Sequence, residues 1–380
     1  MTADRHNTHL LIAGGGTGGH LFPGVAVADE WRRRFGDGRV LFVGTGRPFE
    51  RDVLDRAGYP HRSITASGIK GLGWWRKLKA MGAAVIGTMQ SMLIIWQFRP
   101  VAVVAVGGYA SGPVALAAWL LRIPVVLHEQ NTIAGITNRL LAPLARRVYV
   151  SFPGTRFPAP PEKVVHTGNP VRQGFTGSAH RAPDRKRPFT VLVIGGSQGA
   201  RGINQAVADM LPDLPDARAW RFIHQTGAPD EDRIRKAYTE AGMSHEVAAF
   251  FHDMPTLFRE ADLVICRAGA TTIAELTAMG RAAILVPFPH AADNHQVVNA
   301  GALVAAGAAE MIEEADLDAA RLAGRLTLYR SQPEALARLG ANAARLGRPA
   351  AASAIVDDIL AVIGHSGNAS SHERETQHVS

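Results

Sequence analysis

Cysteine is almost absent from this chain of 380 residues, which contains only Cys266. A single thiol excludes an internal disulfide framework and indicates a reducing compartment. Because Cys266 falls in an apolar run, we expect it to be a small buried side chain. The chain is 47% apolar, and its length and composition predict two domains, each with a core of its own.

Acidic residues are scarce in one part of the chain. Residues 56–161 contain twelve lysine and arginine residues and a single acid, Glu129, whereas residues 162–380 contain 22 basic and 25 acidic residues. The net charge of +8 therefore belongs to the first half. A positive field of this kind suits an anionic substrate, an anionic lipid surface or a nucleic acid.

Uninterrupted apolar runs of membrane-spanning length are also lacking. Residues 101–121 carry no charge, but three glycines and Pro113 divide them into a strand, a turn and the start of a helix. Residues 81–98 include four polar side chains and are short for a tilted span of about 20 residues. We predict that neither segment spans a membrane.

Strand-like and helical segments alternate along the whole chain. The strands are rich in valine, isoleucine and leucine, as in parallel sheets that are buried on both faces, and the helices between them indicate βαβ crossovers. Residues 152–188 contain seven prolines and are expected to connect the two domains. The predicted strands are residues 9–13, 39–43, 101–106, 124–128 and 147–151 in the first half, and 190–194, 221–225, 247–251, 263–266 and 282–287 in the second.

Residues 14–20, GGGTGGH, lie between a predicted strand and a predicted helix. Such a loop presents backbone N–H groups and the positive end of a helix dipole to an anion. A nucleotide-binding P-loop is excluded because His20 and Leu21 stand where it needs lysine and serine or threonine, and a nicotinamide site is disfavoured because the second strand does not end in an acid. A second loop, GGSQG at 195–199, repeats the arrangement, so each domain is expected to contribute one glycine loop to a ligand cleft.

Seven motifs follow one another along the chain: GGTGGH (15–20), GGYASGP (107–113), HEQN (128–131), GNPVR (168–172), GGSQGAR (195–201), CRAGATTIAE (266–275) and PHAADNHQ (289–296). Over about residues 8–363, this set resembles the MurG family of peptidoglycan N-acetylglucosaminyltransferases. The resemblance implies the GT-B fold, an α/β architecture of two Rossmann-like parallel-sheet domains that face each other across a cleft. It also implies inverting transfer of GlcNAc from UDP-GlcNAc to the C4 hydroxyl of MurNAc in lipid I, which gives lipid II in peptidoglycan biosynthesis.

The same resemblance implies a division of the chain. Residues 1–171 would form the acceptor- and membrane-facing domain, and residues 172–348 the domain that binds UDP-GlcNAc. A helix at about 349–364 would pack back on the first domain, and residues 365–380 are polar and predicted to form a disordered tail.

An inverting transfer needs a base that removes the proton of the attacking hydroxyl. His20 is the first choice, because the ordinary pKa of an imidazole, about 6.5, is close to the working pH; its alternative role is to orient the loop. Glu129 is the competing base, because it lies at the carboxyl end of a strand, where ligands of α/β proteins gather. Its alternative roles are to hold His128 or to balance local positive charge.

The donor is expected to contact both domains. Asn131 would bond sugar hydroxyls, Arg172 and Ser197 would face phosphate, and Phe251 would meet uracil through its backbone. Glu275 would accept bonds from the ribose hydroxyls, or else be an early-helix acid favoured by the dipole. The full set of implied donor contacts is Thr17, Gly18, Gly19, Asn131, Arg172, Ser197, Phe251, Ala270, Thr271, Glu275 and Gln296.

No metal or other cofactor is expected. Two acidic motifs, residues 230–232 and 316–318, resemble the paired carboxylates that hold metals in some transferases. Both precede helical segments, where acids cap N–H groups and favour the dipole, and we predict that role for them. The helix N-termini at the glycine loops would take the diphosphate instead.

Residues 69–81 combine Trp74, Trp75 and Leu78 with four basic side chains. Tryptophan favours the membrane interface and basic side chains favour anionic headgroups, so these three are predicted to face an anionic membrane; the alternative is that Trp75 and Leu78 face the domain interior. The family would work peripherally at the cytoplasmic face of the bacterial inner membrane, without nucleic acid, and other cell-wall synthesis proteins stay open as partners. The rivals are a UDP-sugar 2-epimerase, which needs no lipid-facing surface, and a basic nucleic-acid protein, which needs stacking aromatics in a groove.

Overall fold

The computed structural model describes residues 8–36, 38–68, 74–175, 187–196 and 199–375, with the backbone alone described at 74–80, 292 and 365–375. The chain divides into two compact units. One is formed by the residues up to Arg172 together with those from Ala350 onward, and the other by Gln173–Pro349.

The first unit alternates strands and helices. Its elements are β1 (Leu10–Ala13), α1 (Gly18–Phe35), β2 (Val40–Gly44), α2 (Pro48–Arg56), β3 (His61–Ser63), α3 (Trp74–Phe98), β4 (Ala102–Ala105), α4 (Ser111–Leu120), β5 (Val125–Glu129), α5 (Ile136–Leu141), β6 (Arg147–Val150) and β7 (Val164–His166). Within the described residues the strands form a parallel sheet in the order β3-β2-β1-β4-β5-β6-β7. Leu10 of β1 pairs with Val40 on one side and Ala102 on the other, and all four residues of β1 are buried.

The second unit repeats this plan. Its elements are β8 (Phe189–Ile194), α6 (Arg201–Met210), β9 (Trp220–Gln225), α7 (Glu231–Glu240), β10 (Ser244–Ala248), α8 (Met254–Glu260), β11 (Leu263–Cys266), α9 (Ala270–Ala278), β12 (Ala283–Leu285), α10 (His295–Ala305), β13 (Glu310–Met311), α11 (Ala319–Ser331) and α12 (Pro333–Leu346). The described strands form a second parallel sheet in the order β10-β9-β8-β11-β12-β13. The first strand of each unit therefore lies inside its sheet, with the second on one side and a later strand on the other.

The last helix, α13 (Ala351–Glu375), belongs to the first unit. Its Ile355 and Ile359 lie in the same apolar core as Leu10, and the hydroxyl of Tyr149 donates to Asp358 at 2.9 Å. The helix continues to Glu375, whereas the sequence predicted a disordered tail from residue 365; lengthening an existing helix needs no new nucleation. Residues 376–380 of that predicted tail lie outside the described residues.

The edges of both sheets differ from the sequence prediction. A strand was predicted at 247–251, but β10 is Ser244–Ala248, and β3, β7 and β13 were not predicted. All four are edge strands, and their residues are mostly exposed or half-buried. An apolar run marks a strand buried on both faces, so the criterion fails at edges, where polar side chains are tolerated.

Candidate active site

The first glycine loop connects β1 to α1. Gly14, Gly15 and Gly16 all have positive φ, at 134°, 139° and 92°. A Cβ on Gly14 would lie 2.2 Å from the carbonyl oxygen of Gly107, so only glycine allows these two loops to approach so closely. His20 follows in the first turn of α1, which brings an imidazole to the loop.

A cavity of about 190 Å³ opens at this loop. It lies beyond the carboxyl ends of the central strands, where ligands of open α/β sheets bind. The cavity contains two of the predicted site residues, Thr17 and His20, and several that the sequence analysis did not single out. Its lining residues are Gly15, Gly16, Thr17, His20, Thr45, Arg47, Glu50, Gly108, Tyr109 and Ala110.

Glu50 fixes one wall of the cavity. The side chain is 3% exposed, and its Oε2 accepts from the backbone N–H groups of Gly46 at 2.8 Å and Thr45 at 3.0 Å. The Oγ1 of Thr45 donates to the other carboxylate oxygen at 3.0 Å. This carboxylate holds the loop that brings Arg47 to the cavity. The sequence signal for this role, which the sequence analysis missed, is an acid in the first turn of the helix that follows the glycine at the end of β2.

His20 is connected to the buried interior through Gln130. Nδ1 of His20 lies 2.9 Å from Oε1 of Gln130. Nε2 of Gln130 lies 2.8 Å from the carbonyl oxygen of Val106 and 3.0 Å from Nδ1 of His128. Gln130 and His128 are both buried, and burial lowers the pKa of His128 to about 4. Gln130 lies in the predicted HEQN motif, but sequence reasoning gave it no role.

Glu129 is bonded within the loop that follows its own strand. Its Oε1 accepts from the N–H of Asn131 at 3.0 Å, and its Oε2 accepts from the N–H of Gly135 at 3.0 Å and Nδ2 of Asn138 at 2.9 Å. The side chain is buried. Both carboxylate oxygens thus fix the loop that holds Asn131, the predicted sugar contact.

The second glycine loop follows β8 in the other unit. Gly199 has a φ of +77°, and a Cβ there would lie 2.1 Å from the carbonyl oxygen of Thr226. Nε2 of Gln225 donates to the carbonyl of Gly196 at 3.0 Å, and its Oε1 accepts from the N–H of Phe251 at 3.0 Å. Gln225 therefore joins the loop to the predicted uracil contact, Phe251.

The remaining predicted donor residues of this unit lie on or near α9 and α10. Ala270 and Thr271 form the first turn of α9, and Glu275, 5% exposed, lies in the next turn. Gln296 is in the first turn of α10, where its Oε1 accepts from the N–H of Phe288 at 3.0 Å.

Comparison with known protein families is decisive at this point. Residues 10–150 match the Glycosyltransferase family 28 N-terminal domain, and residues 190–355 match the Glycosyltransferase family 28 C-terminal domain. The chain belongs to glycosyltransferase family 28.

The similarity of this family 28 enzyme to individual proteins extends over nearly its whole length. It is 46% identical over 349 residues, 92% of this chain and 91% of the relative, to the UDP-N-acetylglucosamine--N-acetylmuramyl-(pentapeptide) pyrophosphoryl-undecaprenol N-acetylglucosamine transferase of Myxococcus xanthus (strain DK1622). It is 48% identical over 350 residues, 92% of each chain, to the protein of that name from Anaeromyxobacter sp. (strain Fw109-5). The crystal structure of Acinetobacter baumannii MurG is 32% identical and covers 93% of this chain and 99% of its own, with a TM-score of 0.74. The predicted family and the predicted pair of Rossmann-like parallel-sheet domains are confirmed.

Arg172 contacts the first unit, and several other predicted residues are not among those that the structure describes. The guanidinium of Arg172 lies 4.1 Å from the ring centre of Phe22, which is on α1 with His20. Ser197 lies outside the described residues of the glycosyltransferase, as do the side chains of Trp74, Trp75 and Leu78. Their roles stay predictions.

The acidic motifs of the family 28 enzyme differ from each other. Asp318 accepts from the N–H of Arg321 at 2.7 Å and caps α11, as predicted. Asp230 occupies the N-cap position of α7, but its side chain makes no capping hydrogen bond, whereas Glu231 and Asp232 lie in the first turn, where the dipole favours acids as predicted. The carboxylate of Asp230 accepts from Nδ2 of Asn204 at 2.8 Å through Oδ2 and from Arg233 at 2.9 Å through Oδ1. Among the described residues, no group of three or more His, Cys, Asp or Glu side chains could hold a metal ion.

A buried polar chain behind the second glycine loop was also missed. Nδ1 of His224 lies 3.0 Å from the hydroxyl of Tyr238, and its Nε2 lies 3.0 Å from Oδ1 of Asn204. Nδ2 of Asn204 donates to the carbonyl of Thr226 at 2.9 Å, the group against which Gly199 packs. Burial lowers the pKa of His224 to about 3. The sequence signal for this chain is the pair His224 and Gln225, two polar residues at the end of the otherwise mostly apolar strand β9.

The family 28 enzyme exposes large apolar side chains on α3 and α4, two helices that pack against each other. We call them the exposed apolar face: Met81, Val85, Met89, Leu93 and Trp96 on α3, with Trp119 and Leu120 on α4. The α3 residues are spaced three or four apart and so share one side of the helix. Within the described residues, Met81–Phe98 is long and apolar enough to cross a membrane by length and composition, and 17% of it is buried.

Proposed function

We propose that this glycosyltransferase transfers GlcNAc from UDP-GlcNAc to the C4 hydroxyl of MurNAc in lipid I, with inversion, to give lipid II. The observation that carries the proposal is the 46% and 48% identity, over 92% of the chain, to enzymes named for this transfer. The cavity at the first glycine loop supports it, because a half-buried histidine forms part of its wall.

In this reaction the C4 oxygen bonds to C1 of GlcNAc. The bond from C1 to the diphosphate oxygen breaks with its electron pair staying on UDP, and the hydroxyl proton moves to a base. We assign the base to His20, which borders the cavity. Glu129 is assigned the role of fixing the Asn131 loop, because both of its carboxylate oxygens already accept hydrogen bonds there.

UDP-GlcNAc would bind the second unit. The N-terminus of α9, with Ala270 and Thr271, offers backbone N–H groups and a positive dipole end to the diphosphate, so that no metal is needed. Glu275 would accept from the ribose hydroxyls. Since the N–H of Phe251 donates to Gln225, the contact of Phe251 with uracil would use its carbonyl oxygen.

Transfer of labelled GlcNAc to a short-chain lipid I analogue, in the presence of a chelator, tests the proposal. We expect a disaccharide product and release of UDP. Conversion of UDP-GlcNAc to its 2-epimer without transfer would contradict the proposal and favour the epimerase alternative. Loss of transfer in the chelator, restored by magnesium or manganese, would contradict the metal-free mechanism alone.

We also propose that the first unit binds peripherally to an anionic membrane, the cytoplasmic face of the inner membrane, through the exposed apolar face. Large exposed apolar patches are typical of interaction surfaces, and five exposed apolar side chains share one side of α3. Arg122, two residues after α4, and Arg139, on α5, are exposed, and α5 packs against α4. Basic side chains near an anionic surface add about 1 kcal/mol each. Trp74, Trp75 and Leu78, in the first turns of α3, would extend the face. Other cell-wall synthesis proteins would be met at the same membrane.

Vesicle binding tests this second proposal. Replacing Met81, Val85 and Met89 with glutamine keeps good helix formers on α3, and should reduce binding to anionic vesicles even at high salt, because apolar insertion is not screened. The matched control replaces Val298, Val304 and Leu346, exposed apolar residues of the second unit. Transfer to a vesicle-embedded acceptor should fall far more than transfer to a short-chain acceptor. Unchanged vesicle binding in the α3 variant would contradict the proposal.

A further inference from the structure

We infer that Gln130 is a positioning residue that fixes the tautomer of His20, with the proton on Nδ1 and the lone pair on Nε2. The inference rests on the proposed role of His20 as the base and adds the group that makes one particular nitrogen basic. It follows from the hydrogen bonds of three side chains and one carbonyl group.

The orientation of the Gln130 amide is determined by Val106. One end of the amide lies 2.8 Å from the carbonyl oxygen of Val106. A carbonyl oxygen only accepts hydrogen bonds, so the NH₂ end of Gln130 must face it. The flipped amide would bring two oxygens to this distance with no proton between them. Although the two ends of an amide have nearly the same shape, only one orientation satisfies this contact.

The tautomer of His20 follows from that orientation. Oε1 of Gln130, which only accepts, lies 2.9 Å from Nδ1 of His20, so Nδ1 must carry the proton. In the neutral ring Nε2 then has the lone pair. Among the described residues, the hydrogen bond recorded for the His20 ring is made by Nδ1 and none is recorded at Nε2, so Nε2 is the nitrogen that can accept a substrate proton.

His128 makes the arrangement consistent from the other side. The second proton of the Gln130 NH₂ group points to Nδ1 of His128 at 3.0 Å, which must therefore be unprotonated. Burial keeps that ring neutral by lowering its pKa to about 4. If Nδ1 of His128 carried a proton, its N–H would face an N–H of the Gln130 amide, and the repulsion would push the amide away from Val106.

Gly107 leaves room for the His20 ring. A Cβ on Gly107 would lie 2.9 Å from Nδ1 of His20, so the glycine lets the ring approach Gln130. When Nε2 takes the C4 hydroxyl proton, the ring becomes an imidazolium whose Nδ1–H still donates to Oε1 of Gln130. The Gln130 amide acts as neither an acid nor a base, so the transferred proton stays on His20 until it leaves to solvent.

Histidine-selective ¹⁵N NMR of the native enzyme tests the tautomer directly. The His20→Ala variant identifies the resonances of His20 by their loss. We expect the neutral ring to show a protonated Nδ1 and an unprotonated Nε2. A proton on Nε2 would overturn the inference. This measurement does not depend on catalysis, so it separates the tautomer from the base role, which fails instead if His20→Ala keeps its turnover.

Kinetics of two Gln130 variants test the consequence. Gln130→Met removes the acceptor, and kcat should fall about 10–100-fold, as for other residues that orient a functional histidine, with the KM for UDP-GlcNAc changed less than about twofold. Gln130→Glu, with its buried carboxyl protonated, keeps an acceptor for Nδ1–H and donates its hydroxyl proton to the carbonyl of Val106, so it should restore most of kcat. Gln205→Met, the same change at an exposed glutamine of α6, is the control and should behave as the native enzyme. Equal losses in Gln130→Met and Gln130→Glu would overturn the inference, because a purely structural amide would explain them.

Discussion

The glycine loops of the two units share one backbone plan and differ in the side chains behind them. The loop after β1 is followed by His20, which borders a cavity and bonds to Gln130. The loop after β8 is supported by Gln225 and by the buried His224. An imidazole at the cavity is suited to proton transfer, whereas a fully buried one only supports the backbone. Under the proposed function, the loop after β1 would serve proton transfer and the loop after β8 would bind an anion.

The surfaces of the two units differ as well. Of the large apolar side chains exposed among the described residues, twelve lie in the first unit and four in the second. The acid-poor stretch, residues 56–161, also belongs to the first unit. Since both units bury a similar parallel sheet, this excess is not needed for folding, and under the proposed function we expect membrane contact from the first unit.

The largest difference between the loops should appear in catalysis. We expect His20→Ala to lower kcat about 10²–10⁴-fold, the usual contribution of a general base, with little change in UDP-GlcNAc affinity. His166→Ala, at an exposed histidine of the same unit, is the control. Steady-state kinetics with calorimetric donor binding measures both effects. If Glu129→Ala shows this loss and His20→Ala does not, the two roles must be exchanged.

The shared backbone plan predicts similar losses of stability when either loop is filled. We expect Gly14→Ala and Gly199→Ala each to lower the free energy of unfolding by about 3 kcal/mol or more, from a close contact and an unfavourable positive φ. Gly242 has a φ of +65°, but a Cβ there would meet no atom within 4 Å. Gly242→Ala should therefore lower the free energy of unfolding by only about 1–2 kcal/mol. Urea unfolding compares the three. Equal losses at all three positions would show that close approach of the loops is unimportant.

Donor binding should depend on the second unit. Glu275→Ala is expected to weaken UDP-GlcNAc binding by about 1–3 kcal/mol, because polar partners lose their acceptor. Glu240→Ala, at an exposed helical glutamate of the same unit, should have no effect. Isothermal titration calorimetry gives both affinities, and an unchanged value for Glu275→Ala would remove this residue from the donor site.

The smallest expected effect is a matched loss of stability in mild acid. Burial lowers the pKa of His128 to about 4 and that of His224 to about 3, below the value of about 6.5 in the unfolded chain. As the pH falls from 7.5 to 6, the unfolded state binds protons that the native state does not, so stability falls. Each histidine should contribute a loss of about 0.8 kcal/mol at pH 6, set by the unfolded pKa because both native rings are still neutral there.

Native-state hydrogen exchange can separate these two contributions. Amides of β5 report on the first unit and amides of β9 on the second. Replacing His128 with glutamine should remove the pH dependence from β5 alone, and replacing His224 should remove it from β9 alone. A pH dependence that persists in both variants would show that other groups cause it.

The sequence by itself determined the central strands and the two glycine loops. Apolar runs such as residues 263–266 are visible locally because both faces of an inner parallel strand are buried. The glycine clusters and His20 are likewise local features, and they were enough to predict an anion-binding fold with a titratable group beside one loop. The family resemblance then supplied the donor residues that no local pattern indicates.

Only the tertiary structure decided which residues act together. Gln130 lies 110 positions from His20, and the two meet because the order of strands brings the loop after β5 near the loop after β1. The same holds for His224 and Asn204, which a sheet crossover joins. The edge strands and the exposed apolar face could also be identified only in the tertiary structure. The sequence of a strand, or of an apolar helix, does not show whether another layer of the fold covers it. Local patterns report how much a residue tends to be buried, whereas topology determines which groups lie within 3 Å of one another.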